Sequence, residues 1–588
     1  MSLRCMSASI AHRLWLASVL FFAGALAASA QSFRVQCPVS TITHPNATNN
    51  TEPSYNGPTG FTTNAQGYVT PSSNINGAIK CQQISGGDGY STMADGTQTF
   101  MFSFGPLSGL ADIAKGLPGT EFPYLFNTIY SGATPLQPGD PAATDGATSG
   151  ASPGALGAFT FNGAVGEIPD VDYNGGNGTV GAPIDGHVDP REIMDIGVMN
   201  GNIPAPLIAF DEDDEFFLTL TNVGMIMRPD LFEQHTVHFH GYPNASSFYD
   251  GVPEASVAIN IGGSFTYYYL APDAGTYFYH CHITPPEHLQ MGMVGQLYVR
   301  PRQDRVPLNQ SLYTYLGYQN GLGLPAGTTA DLRTVCNPAV DILCSATMPA
   351  VNTRATQQTD PLVIDPATGR ADLPYKYVYN DGDASTQYDV EYPIQMHGFD
   401  PNFHFVGMTF NPEAFADMKD KYFLLNGRSY PDTVTPGPQA TMSSDGRMHY
   451  SQPLPAIINI PAGGKALLRL VNLSVSEYHT LESLGIPMKV VGWNAKLLRD
   501  QAGNNTEYYT NSITLGGGES LDVILDASDA GCGSAGCAHT LYPAGRVFYV
   551  LTPQLDHLSN DAENFGGMMT EVHICNTVTG STFGNTCN

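Results

Sequence analysis

Between residues 235 and 293 the chain reads His235-Thr-Val-His238-Phe-His240-Gly241 and then Tyr279-His280-Cys281-His282, followed by His288 and Met293. Side chains alternate faces along a strand, so the spacing of these strings constrains the fold. His280 and His282 share one face of their strand, and Cys281 points to the other. His238 and His240 share a face, while His235, at an odd offset, projects opposite to them. If the two strands are neighbours, His235 and Cys281 meet on one side and the four other histidines gather on the reverse. A thiolate, two imidazoles and a thioether are the ligands of a blue-copper electron-transfer centre. The remaining histidines are left for a second copper site, joined to the first through the backbone of one strand.

The 588 residues are too many for one ordinary core, so two domains with elaborations are expected. The formal charge of −29 repels nucleic acid and anionic membranes, and favours cationic substrates weakly. Within it, the run 211–215 (Asp-Glu-Asp-Asp-Glu) reads as a solvated approach to a strand rather than a metal-docking patch. Residues 1–30 read as an export signal: Arg4 and Arg13 precede the apolar stretch Leu14–Ala28, and Ala28-Ser29-Ala30 suits cleavage before Gln31. No later segment has the length and apolarity of a membrane span. The expected location is therefore periplasmic or extracellular.

Cysteine usage suits an oxidising compartment. Apart from Cys5 and Cys281 there are Cys37, Cys81, Cys336, Cys344, Cys532, Cys537, Cys575 and Cys587. Nearest-neighbour pairing would give four short bridges, with the connectivity open. Cys281 has no obvious partner and is left as a metal ligand.

Residues 31–185 form a loop-rich extension, with 31–95 read as surface loop, 98–104 as a first strand, and 131–185 as a Gly/Ala/Pro/Asp-rich insertion. The copper-binding domain follows over 186–302, with short strands at 206–210, 216–221, 236–240, 264–270, 275–282 and 295–299. Residues 303–375 read as a linker. A second strand-rich domain, without an evident copper set, runs over 376–578, with strands at 456–460, 465–471, 488–491, 512–515, 520–525 and 547–552. A short helix is expected near 412–418, and 579–588 is a tail. The fold class is all-β, two Greek-key β-sandwiches in series.

"NGNIPAPLIAFDEDDEFFLTLTN", "HFHG", "DGVPEASVAINIGGSFTYYYL" and "GTYFYHCH" resemble, in that order, the copper domain of multicopper oxidases and copper nitrite reductases. "YFLLNGRSYPDT", "INIPAGGKALLRLVNLS" and "LGGGESLDVILDAS" are similar to the non-metal domain of such oxidases. The resemblance covers most of 190–578 and implies cupredoxin-like domains. It assigns His235, Cys281, His288 and Met293 to a type 1 copper, the axial Met293 implying a modest potential. It assigns His238, His240, His280 and His282 to type 2 or type 3 coppers. Asp250 becomes a candidate proton donor, with Glu254 and Glu287 behind it.

Two departures from the oxidase pattern stand out. The stretch from Cys281 to His288 is long and carries Pro285-Pro286, which reads as an expanded loop of the nitrite reductase type. The second domain has no HxH or HCH string, only isolated histidines at 397, 404, 449, 479, 539, 557 and 573. Of these, His557 sits where a nitrite reductase, a homotrimer, donates one histidine across a subunit interface.

Three functions follow from the resemblance. The first is an exported copper oxidase that takes single electrons from a phenolic compound or reduced metal ion and passes them to dioxygen. The second is reduction of nitrite at a type 2 copper. The third is a non-enzymatic blue-copper electron carrier or copper-binding protein.

Overall fold

In a computed structural model of the chain, residues 77–106, 201–305 and 376–579 are described, apart from breaks at 410–413, 443–447 and 529–540 and a few single positions. Residues 38, 40, 41 and 44 and short pieces at 61–63, 69–71, 159–162, 166–169, 364–365, 370–371 and 585–588 are also described. The export signal lies outside the described residues, and so does most of the 131–185 insertion and of the linker.

The first domain is a sandwich of two four-stranded sheets. One takes β1 (Ile79–Thr92), β2 (Gln98–Pro106), β4 (Glu215–Gly224) and β6 (Ser264–Leu270), in the order β6-β4-β1-β2. The other takes β3 (Ile208–Asp211), β5 (His238–His240), β7 (Gly275–His280) and β8 (Val294–Arg300), in the order β3-β8-β7-β5. Between them lies an aromatic core that includes Phe102, Phe104, Phe210, Phe216, Phe239, Tyr267 and Tyr279. Phe239 stacks on Tyr269 at 3.8 Å and 7°. By alternation, that inward ring turns the flanking His238 and His240 out of the core.

The second domain repeats the plan. One sheet holds β9 (Val390–Phe399), β10 (Tyr422–Leu425), β12 (Lys465–Asn472), β14 (Met488–Trp493) and β16 (Ser520–Asp526). The opposing sheet runs β11-β18-β17-β13-β15, from β11 (Ile458–Pro461), β13 (His479–Leu484), β15 (Ser512–Leu515), β17 (Val547–Leu551) and β18 (Met569–Cys575). Its core is aliphatic, built on residues such as Ile394, Leu468, Leu481, Val523 and Val572. The all-β, two-sandwich expectation holds.

Four local expectations are corrected. The stretch 79–92, read as surface loop, is a buried strand paired in parallel to β4 and antiparallel to β2. Its glycines leave little apolar signal, yet Gly89 packs so closely on the Gly201 backbone that a Cβ would collide. The acidic run is not solvated: Asp211, Glu212, Asp213, Asp214 and Glu215 are all buried, at most 8% exposed. Arg302 and Arg305 pair with Asp213, Lys80 with Asp214, and His44 with Glu215. These partners, distant in sequence, replace the lost hydration. The expanded loop after Cys281 contains α1 (Pro285–Gln290), with proline in its first turn, where no helical N–H is lost. The expected helix near 412–418 is reduced to a turn of 3-10 helix at Phe415–Asp417, while α2 occupies Pro401–Thr409.

Cys575 and Cys587 form a disulfide, and Cys81 is also disulfide-bonded. Cys281 is free and buried. Among the described residues no helix is long and apolar enough to cross a membrane.

Candidate metal centres

β5 and β7 are hydrogen-bonded neighbours, with His238 opposite His280 and His240 opposite Phe278. The register therefore sorts the histidines into two groups on either side of one strand pair.

The first group is His235, Cys281 and His288, whose ligand atoms all lie within 4.8 Å of one another. His235 is held by a two-way backbone bridge to Ile259. Cys281 follows β7 directly, and its amide donates to the Met293 carbonyl at 3.2 Å. His288 arrives on α1, and its carbonyl accepts the Met293 amide at 2.8 Å. Met293 is thus fixed by backbone to two of the three ligands, and its side chain is fully buried. The Thr236 amide donates to Cys281 Sγ at 3.4 Å, and His288 Nδ1 lies 3.2 Å from the same sulfur. Phe102 packs edge-on against His288 at 5.2 Å. The three ligands are at most 1% exposed, so water is excluded.

Burial alone would push the Cys281 thiol up. His288 beside it, with its Nδ1 in hydrogen-bond reach of the sulfur, and the neighbouring His235 outweigh that and hold it well below the usual thiol range. The thiolate is the form that ligates metals. His235 Nδ1 is buried without a partner, an orphan a metal would satisfy. Thiolate, two imidazoles and a buried thioether on this frame fit copper.

The second group is His238, His240 and His280, again within 4.8 Å. His282 joins them, its ring 5.2 Å from His238 and 5.5 Å from His280. His238 Nδ1 donates to the Asp250 carbonyl at 2.7 Å, and His280 Nδ1 to the Cys281 carbonyl at 2.8 Å. Both rings are therefore held with Nε2 free as a lone pair, the usual tautomer control of a metal-ligating histidine. His280 Nε2 faces His240 Nδ1 at 3.3 Å. Burial pushes His280 down to about 3 and His240 to about 4, the neighbouring imidazoles adding to the effect. Neutral imidazoles are ready for a metal.

Asp250 acts on His238 chiefly through its carbonyl. Its carboxylate stands 3.4 Å from the same Nδ1 and is held by Asn244 at 3.0 Å. Glu254 is exposed and Glu287 half-buried on α1. The sequence reading missed Glu233, whose carboxylate lies 3.7 Å from His288 Nε2. It sits two residues before His235 in an unremarkable loop. His557 is not brought to either group. It is 1% exposed inside the second domain, stacked on Phe423 and bonded through Nε2 to Glu477 at 2.8 Å, so it is not presented to a neighbouring subunit.

Two family models described as multicopper oxidase match the chain, over residues 185–304 and 415–532. The multicopper oxidase MCE of Talaromyces pinophilus is 35% identical over 116 residues, covering 19% of this chain and 18% of that protein. Laccase-1 of Emericella nidulans is 36% identical over 121 residues, covering 20% and 17%. The chain thus spans under a fifth of the length of these curated relatives. Among solved structures, the blue copper oxidase of Nitrosomonas europaea aligns at a TM-score of 0.38 and 20% identity, over 64% of this chain and 78% of that one. The laccase of Botrytis aclada aligns at 0.35 and 17% identity, over 66% and 51%.

Proposed function

The chain belongs to the multicopper oxidase superfamily, and from that membership we propose that it is an exported copper-dependent oxidoreductase coupling one-electron oxidation of a small donor to dioxygen reduction. Copper, when bound, would supply the one-electron redox change. His235, Cys281, His288 and Met293 are the residues that would hold the electron-accepting copper. His238, His240, His280 and His282 would hold the second site. The observation that carries the reading is the single backbone run His280-Cys281-His282. It contributes to both groups, and its Cys281 carbonyl accepts a hydrogen bond from His280 Nδ1.

Phenolic donors are favoured over metal ions by the surroundings of His288. A phenol that loses an electron becomes strongly acidic, and Glu233 is the carboxylate nearest His288 Nε2. Phe232, 82% exposed beside it, offers an apolar face to an aromatic ring. Export is supported by the sequence of residues 1–30 and by the disulfide chemistry.

The test is oxygen consumption by copper-loaded protein supplied with a phenolic donor. Wild type consumes oxygen in proportion to donor oxidised, and Cys281→Ser loses both the visible absorption and the uptake. A blue protein that consumes no oxygen with good one-electron donors would leave only an electron carrier.

A second reading, nitrite reduction, is favoured by the histidine count. The strand positions of the second domain that match His238, His240 and His280 carry Glu482, Leu484 and Leu551. Four histidines suit a single ion better than a trinuclear cluster. Anaerobic formation of nitric oxide from nitrite, with no oxygen uptake, is the result that would select it.

A further inference from the structure

The second domain repeats the backbone hydrogen bonds that hold the His235/Cys281/His288 centre, although its ligand-bearing loops differ in length. β13 begins at His479, and the step His479-Thr480 to Gly485 repeats the step His235-Thr236 to Gly241. His479 pairs with Leu515 as His235 pairs with Ile259. The Thr552 amide donates to the Met568 carbonyl at 3.0 Å, as Cys281 does to Met293 at 3.2 Å. The Met568 amide donates to the His557 carbonyl at 3.0 Å, as Met293 does to His288 at 2.8 Å.

The side chains follow the frame. The His479 and His557 rings are 5.3 Å apart at 71°, against 5.4 Å and 65° for His235 and His288. Glu477 takes the outer nitrogen of His557, as Glu233 faces that of His288. Asn472 braces the Glu477 and Leu515 carbonyls as Asn222 braces those of Glu233 and Ile259. One ligand differs: Thr552 replaces the cysteine.

This frame is not a packed-over relic. His479 is fully buried, yet neither ring nitrogen has a partner, and His557 Nδ1, also buried, has none. An unpaired buried polar atom costs about 1–3 kcal/mol, so three orphan nitrogens on two adjacent rings mark a place built for something. Met568 and Thr552 are both fully buried at the positions of the axial and thiolate ligands.

We infer that the second domain holds a copper cradle of its own, formed by His479, His557 and Met568 with the Thr552 hydroxyl where a thiolate would be, and that it takes monovalent copper. The soft thioether donor favours Cu(I), and imidazole is a good copper ligand as well. Charge points the same way. The donors are neutral, and the carboxylate touching them is Glu477, on the outer nitrogen of His557. A monovalent ion leaves a buried charge that Glu477 balances, whereas a divalent ion leaves one uncompensated. Without a thiolate the bound ion has no visible charge-transfer band, so it is silent in the absorbance that reports Cys281.

The test is anaerobic titration of copper-free protein with Cu(I) against a chromogenic Cu(I) chelator. The His479→Gln/His557→Gln variant binds one Cu(I) fewer than wild type, while the visible absorption of the Cu(II)-loaded protein is unchanged. An unchanged Cu(I) count in a folded variant with full absorption overturns the inference. So does a site in wild type that takes Zn(II) but not Cu(I). Should the double variant not fold, Thr552→Cys reads the same geometry as a gain. It restores the thiolate, and thiolate–copper absorption rises about two-fold. In Cys281→Ser/Thr552→Cys that absorption persists at about the wild-type level, whereas Cys281→Ser alone has none. A colourless double variant overturns the assignment.

Discussion

Replacing Glu391 by Gln tests how the two sandwiches are held together. Glu391 lies in β9 at the domain junction and is 5% exposed. Its Oε1 accepts from Arg300 Nε at 3.0 Å, and its Oε2 from Arg469 Nε at 2.9 Å and from the Tyr388 hydroxyl at 3.0 Å. Arg300 closes β8 of the first domain, and Arg469 stands over the Tyr298 ring at 4.4 Å. Asp522, 3.7 Å from Arg469, supplies the second negative charge, so the cluster is neutral as built. Glu391→Gln keeps the shape and leaves one guanidinium unbalanced in a dry site. Breaking a buried pair in this way costs about 3–5 kcal/mol. With a urea slope of roughly 2–3 kcal/mol per M, the midpoint falls by roughly 1–2 M. The assay is urea unfolding followed by near-ultraviolet circular dichroism. Burial favours the protonated form of Glu391, but the two guanidiniums override it and hold the carboxyl well below its usual range. A depressed folded pKa means that this stabilisation is complete above the ordinary carboxylate value of about 4 and is lost as pH falls below it. The wild-type advantage over Glu391→Gln therefore shrinks in acid. Arg300→Met/Glu391→Met leaves the neutral pair Arg469–Asp522 and recovers most of the loss. A Glu391→Gln cost under about 1 kcal/mol, or a double variant as unstable as the single, would refute the uncompensated-charge explanation.

Gly251→Ala is expected to cost more than about 2 kcal/mol. Gly251 has φ +82°, and a Cβ there runs into the Val237 carbonyl beside β5; thermal melting reads the cost. Asp250→Asn keeps the backbone carbonyl that orients His238, so copper affinity at the second site falls by about tenfold or less, at the low end of such effects, as read by chelator competition. Glu233→Gln lowers kcat/KM for a phenolic donor by about a hundredfold and leaves a donor that releases no proton unaffected; parallel steady-state assays with the two donors separate the effects.

The copper face was legible because strand parity is a strong code. Parity puts His235 and Cys281 on one face and the other four histidines behind them, and the observed pairing of His238 with His280 brings the two strands side by side as that reading requires. What escaped the sequence depends on partners far along the chain. The acidic run 211–215 looks solvated until Lys80, Arg302 and Arg305 are brought to it. β1 looks like a loop because its glycines serve close backbone packing rather than apolar burial. Glu233 carries no motif, and only the arrival of α1 makes it a neighbour of His288. The second-domain frame was hidden by one substitution. With Thr552 in place of cysteine the metal signature vanishes, although the His-Thr step and the glycine six residues on remain at identical spacing.

That substitution also changes what a copper count means. The odd-offset face of the strand pair, with His479 and His557, survives in the second domain. The even-offset face, with Glu482, Leu484 and Leu551, does not. A neighbouring copy's second domain therefore brings no histidine at those positions to complete the cluster at His238, His240 and His280. A copper total above that of an electron-accepting site plus a single ion is then not by itself a sign of a trinuclear cluster, because the cradle at His479 and His557 adds one ion without colour. Counting copper in wild type and in His479→Gln/His557→Gln side by side separates the two contributions. The difference between them belongs to the cradle. The remainder in the variant, less the ion at Cys281, is the nuclearity of the site that meets the terminal electron acceptor.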